Sequence, residues 1–481
     1  MQPFLDSTRD SRSSVSRGFV FLLSLVILVL LNDVASAQSK GAVNNKEKGA
    51  DKAKTKKPIS DESNRPRDYR SANFLLHTDL PKDEADELLK RLETMISLIS
   101  KYWGRPNKQP LECFVVLDLS VWPQGAFPPE GLAKIEEGAG VTLTQTRVLR
   151  GTGEIVGAKA TVYAVANRGI PQHEAVHAYC GQNFGHTGPI WYSEGMAEMG
   201  QYWRAGESRV SCHPEAVRYI RNSEPKSLNA IVNAREITGD SWENYCWRWA
   251  LCHLLANNPN YYDRFRPLGL GLLMDKSDAT FENVYGSMSK EISFEYLFFL
   301  QHFDLGYEVT LTAWDWKTKF RRATSSVPVT CTIEANHGWQ ASRLLVKVGE
   351  EFELTAEGAW QLSEDSPLLN PFGEEAETPK PANGGAAVSK AAKPKKTGSK
   401  TESKQEALPT MIPYQSTFTP GQLVGVLFND YELGEPFAIP SNGNFKAPAD
   451  GQLFLRCEES WNKLADNKGK VNLKIRPRDT N

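Results

Sequence analysis

The chain has 481 residues, 24% of them charged, with a net charge of −2 and only 7 cysteines. That length allows two globular domains, and so few cysteines exclude a disulfide scaffold while the odd number leaves at least one thiol unpaired. Two lysine-rich stretches, 38–72 at net +5 and 374–406 at net +2, mask a more acidic remainder near −9, which argues against nucleic acid as a partner.

Arg9, Arg12 and Arg17 precede an apolar run over 19–31, and Ala35-Ser36-Ala37 offers a small-residue cleavage site. Thirteen residues fall short of the ~20 that span a bilayer, so 1–37 is read as an export signal. An uncleaved anchor is the competing reading, because Asp6 and Asp10 sit in a long leader. The protein is expected outside the cytoplasm, secreted or in the cell envelope. Residues 38–72 carry almost no large apolar side chain and read as a disordered basic linker.

A globular part follows over 73–322. Residues 74–78 read as a strand and 81–102 as an amphipathic helix, with Ala85, Leu88, Leu89, Leu92, Met95, Ile96 and Ile99 on one face. Strands are expected at 112–119 and 158–166, and mostly helix over 208–302.

Between them lies His173-Glu174-Ala175-Val176-His177, then Trp191-Tyr192-Ser193-Glu194-Gly195-Met196-Ala197-Glu198. Two histidines four apart on a helix project from one face and can bind one metal ion. Glu174 lies roughly 100° round from His173 and reaches a metal-bound water without being a ligand. Glu194 supplies a third ligand, and Glu198, one turn on, can accept a hydrogen bond from the outer nitrogen of His173 or His177. Gly195 and Ala197 are small enough to let the second helix approach the first. Two neutral imidazoles and a carboxylate are the donor set of a hydrolytic zinc site. The competing reading is a surface histidine pair and a solvated glutamate pair. Cys180, one turn past His177, reads as a buried thiol. An oxyanion donor is also required; Tyr245, Tyr192 and His253 are the candidates, with Tyr245 preferred.

This order, His-Glu-x-x-His followed by Trp-x-x-Glu-Gly-x-Ala, resembles the gluzincin-type metallopeptidases of the peptidase MA clan. More narrowly it is similar to a group of secreted planctomycete peptidases of unknown function. The resemblance implies His173, His177 and Glu194 as zinc ligands, Glu174 as catalytic base, and a peptide or protein substrate lying along a sheet-edge strand at 158–166.

From about 327 the texture changes to short strands, at 329–334, 344–348, 352–356, 422–428, 451–457 and 470–475. A β-sandwich is expected over 327–480, with a disordered insertion at about 370–408. Cys331 and Cys457 are one candidate disulfide pair. Gly451-Gln-Leu-Phe-Leu-Arg-Cys-Glu-Glu and the later Asp466-Asn467-Lys468-Gly469 resemble the end of the calcium-dependent galactose-binding bacterial lectin domain. That resemblance implies Ca²⁺ on Glu459, Asp466 and Asn467, and glycan or cell-wall contact. Lys463, standing where an oxygen ligand is expected, opposes it, and a plain turn at 466–469 is the alternative.

The expected fold is thus an α+β zincin-like catalytic domain, a small sheet plus metal-binding helices, followed by an all-β sandwich with a disordered insertion. The expected function is zinc-dependent peptide hydrolysis. The alternative is a cell-envelope glycan- or wall-binding protein with a vestigial zinc site.

Overall fold

The computed structural model describes residues 65–150, 155–167, 169–203, 208–233, 242–376 and 416–478, and the backbone of 24–26. The export signal expected at 1–37 lies outside the described residues apart from those three, as do 38–64 of the linker and 377–408 of the insertion. Among the described residues no helix is long and apolar enough to cross a membrane.

The first sheet contains β1 (Ser24–Val26), β2 (Arg67–Arg70), β3 (Phe74–Thr78), β4 (Leu111–Val116), β5 (Gly140–Val148) and β6 (Ile155–Val165), in the order β1-β5-β6-β4-β3-β2. β3, β4 and β6 run parallel, whereas β5 pairs antiparallel with β6 and β2 antiparallel with β3. Alternation sends Phe74, Leu76, Cys113, Val115, Val162 and Ala164 to one face, where they are buried. That face packs on α1 (Lys82–Trp103), whose buried stripe contains the seven residues read from the sequence, and on α3 (Ile170–Phe184).

Three differences from the sequence reading have physical causes. Arg67–Arg70, assigned to the linker, is an edge strand: its charged residues face water while Tyr69 packs against the core. β5 is a strand the sequence reading did not assign: its alternating Thr142, Thr144 and Thr146 favour a strand, but it is buried only over its first three residues. Because β5 flanks it, β6 is interior, and β5 is in turn paired with Ser24–Val26, so the sheet ends at β1 and not at 158–166.

After α2 (Pro129–Glu136) the helices are α3, α4 (Ile190–Tyr202), α5 (Pro214–Asn222), α6 (Leu228–Val232), α7 (Trp242–Asn257), α8 (Tyr262–Leu273), α9 (Phe281–Tyr285), α10 (Ser289–Gln301) and α11 (Val309–Thr312). Glu295 of α10 is buried and accepts from Asn258 (2.5 Å), Asn260 (2.9 Å), Tyr261 (2.6 Å), the Trp314 amide (3.0 Å) and the Trp316 indole (2.7 Å). It ties the helices to the segment that leads into the β-rich part.

That part has two sheets. β11 (Glu432–Leu433), β10 (Leu423–Asn429), β14 (Gly451–Cys457) and β8 (Gln340–Val346) form one, with β12 (Phe437–Ala438) also on β10. β13 (Asn444–Lys446), β9 (Glu351–Gln361), β15 (Lys468–Pro477) and β7 (Val329–Glu334) form the other. Val329, Ile333, Leu354, Trp360, Leu453 and Leu473 fill a shared apolar core. The outer face of the five-stranded sheet is buried too: Trp314 lies 4.1 Å from Phe454 between ring centroids, and Phe294 5.1 Å from Phe428. The whole is therefore mixed α/β with a β-rich C-terminal region. The insertion expected from about 370 begins later, since Leu369 bridges Trp360 and Phe372 bridges Gln422. All seven cysteines are free thiols, Cys331 and Cys457 included; these two sit on strands of opposite sheets.

Candidate metal centre

α3 starts at a proline-containing first turn and ends at Gly185, whose φ of 86° suits a residue without Cβ. Most residues of α3 and α4 are buried, so neither helix presents a polar face to water, and His173 and His177 of α3 meet Ser193, Glu194 and Glu198 of α4. Close approach depends on glycine. A Cβ on Gly140 of β5 would stand 2.8 Å from Cγ of Glu174. Gly195, expected to admit α3, faces α7 instead, where a Cβ would meet Cys252 Sγ at 2.4 Å and Arg248 O at 2.8 Å; Gly200 is the glycine opposite Val176 of α3.

His173, His177 and Glu194 converge. His173 Nε2 lies 3.2 Å from Glu194 Oε2, His177 Nε2 3.4 Å from the same oxygen, and the two Nε2 atoms 3.2 Å from each other. Ligands about 2.0–2.1 Å from a tetrahedral zinc ion stand about 3.3 Å apart. The triangle has that size. The outer nitrogens are engaged elsewhere: His173 Nδ1 with Glu198 Oε1 at 2.9 Å, and His177 Nδ1 with Ser193 Oγ at 3.2 Å. With Nδ1 of each ring donating outward, both Nε2 lone pairs point inward, as ligation requires. These three residues could hold a metal ion, and all are buried.

Electrostatics agree with a cation site. Burial opposes charge on His173, but hydrogen bonds and charges from Glu194 and Glu198 outweigh it and raise its pKa well above the ordinary value. Burial likewise works against ionised Glu194, yet His177 and His173 hold that carboxyl far below the carboxylate range. Without a metal the pocket therefore holds a proton on His173, which a bound ion would displace.

Glu174 is fully buried beside the triangle, and burial raises its pKa against the pull of His177 and His173. Its Oε2 accepts from Thr142 Oγ1 at 2.8 Å, while Oε1 is buried without a hydrogen-bond partner. A carboxyl group with one oxygen fixed and the other unengaged can exchange a proton with a group brought against it. Thr142 and Ser193 were not singled out in the sequence; the repeating Thr142, Thr144 and Thr146 of β5 was the available signal for the first.

Of the three oxyanion candidates, Tyr245 stands against the centre, its ring 5.7 Å from that of His173. Tyr192 accepts from the Trp103 indole at 2.9 Å in the core. His253 is stacked on Phe299, and burial lowers its pKa to about 4. A cleft of about 900 Å³ runs from His177 along Thr142, Thr144 and Thr146 of β5, with Trp191 and Phe281 in its wall.

In the β-rich region, Glu459 Oε1 accepts from the Ser460 amide at 2.7 Å, Asp466 is exposed, and the buried Asn467 donates to Ala335 O at 3.1 Å. The cation beside them is Arg456, fully buried, with its guanidinium 3.8 Å from the Trp461 ring and 3.4 Å from Glu458 Oε2.

No family model matches the chain, and neither does any curated protein. Among solved structures, the EclA N-terminal domain, described as a PllA-like lectin, is similar to 31% of this chain over 95% of its own length, at 15% identity and a TM-score of 0.19. At that score the likeness carries no argument.

Proposed function

We propose that this protein is an exported zinc-dependent peptidase, with 73–322 as a zincin-like catalytic domain. The observation that carries the proposal is the triangle of His173, His177 and Glu194 with the half-engaged carboxyl of Glu174 beside it. Zinc bound there would lower the pKa of water and polarise a carbonyl oxygen. Glu174 would take the proton from water and pass it to the leaving amine, with Thr142 fixing its orientation. Glu198 and Ser193 would hold the two imidazoles in the ligating tautomer, and Tyr245 is the nearest of the named groups for stabilising the oxyanion.

A peptide substrate is favoured by β5. Its outer edge accepts an extended segment, since Ser24–Val26 of this chain pairs antiparallel with Gly140–Thr142. Such an edge supplies backbone donors and acceptors to an added strand, and the cleft leaves room for side chains. The test is the metal content of the purified protein together with hydrolysis of a mixed peptide library, with and without a chelator. Zinc near one per chain and chelator-sensitive cleavage are expected. Bound zinc with no cleavage of any peptide would remove peptide hydrolysis and leave a metal-binding protein.

A further inference from the structure

A second crevice, of about 750 Å³, opens between the 311–318 segment and the outer face of the four-stranded sheet, and shares no lining residue with the cleft at the metal centre. Its floor mixes hydroxyl and amide groups with the Glu357 carboxylate of β9, a further acceptor for hydroxyls, while Asp315 on the facing segment is held by the Lys317 and Thr318 amides. Thr332 of β7 and Asn472 of β15 project from neighbouring strands, with Thr332 Oγ1 donating to Asn472 at 2.8 Å, and Thr355 of β9 continues the row. Its one large aromatic, Trp339, is 7% exposed, with the Arg456 guanidinium 5.5 Å and the Trp461 ring 6.1 Å away.

At the rim stands Arg343, with a φ of 68°, a conformation that any residue with a Cβ disfavours. Residues 342–344 of β8 bulge opposite a single residue of β14. Ser342 Oγ donates to Leu453 O at 2.6 Å, and Arg321 N donates to Arg343 O at 2.9 Å, so both flanks of the bulge are fixed. Bulges re-aim side chains, and a held unfavourable backbone is a reason to look for a ligand. Here the re-aimed side chain is an exposed guanidinium lining a polar crevice. Among the described residues it has no ion-pair partner, and neither has the exposed Lys474 on the crevice wall.

We propose that this crevice binds an acidic saccharide: the carboxylate pairs with Arg343, and the hydroxyls bond to the threonine and asparagine side chains of the sheet. Arginine engages a planar carboxylate through two parallel hydrogen bonds, and a flat row of hydroxyl and amide groups matches a polyol better than a peptide. Nothing in this assignment depends on the reading of the metal centre.

The test is calorimetric titration of the full-length protein with two probes, trigalacturonate and a disaccharide containing N-acetylmuramic acid, and with the methyl ester of each. At least one acid should bind at least about tenfold more tightly than its ester, with no effect of a chelator. Arg343→Gly deletes the guanidinium but suits the left-handed backbone, so it should abolish that preference without lowering Tm. Arg343→Lys should restore part of it. Binding of neither acid up to about 10 mM, or equal binding of acid and ester, would overturn the proposal. So would an undiminished preference in Arg343→Gly.

Discussion

The metal centre buries Glu174, Glu194 and Glu198, the 456–467 segment buries Glu458, and the two solve the charge problem in opposite ways. In the loop the chain supplies its own cation: Arg456 donates through Nε to Cys457 O at 3.1 Å, reaches the Glu459 carbonyl, and faces the buried Glu458. At the centre, the lone pairs of His173, His177 and Glu194 converge with no arginine or lysine among them. A buried acid therefore does not by itself mark a metal site. What distinguishes one is inward-facing ligand atoms whose counter-charge has to come from outside the chain.

The comparison breaks most decisively at Glu174. Glu174→Gln should retain zinc and lose hydrolysis by about 10²–10⁴-fold, the usual contribution of a general base. His173→Ala should lose both metal and activity. Elemental analysis and initial rates on one cleavable peptide decide the matter: normal turnover by Glu174→Gln would rule out its role as base.

Removing the internal cation tests the other half. Arg456→Ala leaves Glu458 buried beside nothing positive, and breaking such a pair costs about 3–5 kcal/mol. Denaturant unfolding should read that loss, and Glu458→Gln in the same chain should recover part of it. Calcium should leave the wild-type Tm unchanged. A rise that grows with calcium concentration would return an ion to the loop.

These two regions were unequally legible in the sequence. The i, i+4 spacings of His173 with His177 and Glu194 with Glu198 fix side-chain directions on a helix whatever surrounds it, so the ligand set could be read before the fold was known. Ser193 could not, because its part depends on which ring nitrogen of His177 faces outward. β5 was legible but missed: Thr142, Thr144 and Thr146 alternate along a run of strand-forming residues, and only its first three positions are buried. In the C-terminal region the strand positions were readable from alternation, but Val424, Val426 and Phe428 of β10 bury the second face of their sheet against α10 and the Trp314 segment. That contact gives the sheet a second buried face, which alternation within one strand does not announce. Arg456 lies inside a strand and carries no local sign of being buried.

A smaller effect sharpens the account of the metal centre. Glu198 touches His173 only through its outer nitrogen, so Glu198→Ala should weaken zinc by about 10–100-fold without abolishing binding. Chelator competition measures this directly. A variant with undiminished affinity would mean that Glu194 alone orients the ring.

The smallest effect is one of pH. In the metal-free protein His173 carries a proton held by Glu194 and Glu198, and its pKa lies above the ordinary 6.5. A raised histidine pKa stabilises the fold fully below the unfolded value, and that contribution fades as pH rises through the folded one. Zinc must displace the same proton, so its apparent affinity should rise with pH over this window, by at most about tenfold per unit for one proton. The Tm of the metal-free protein should therefore fall as pH rises above 6.5 through the folded value while that of the zinc form holds, and the gap between them should widen. A gap that narrows with rising pH would mean that His173 is not the proton-bearing group that the ion replaces.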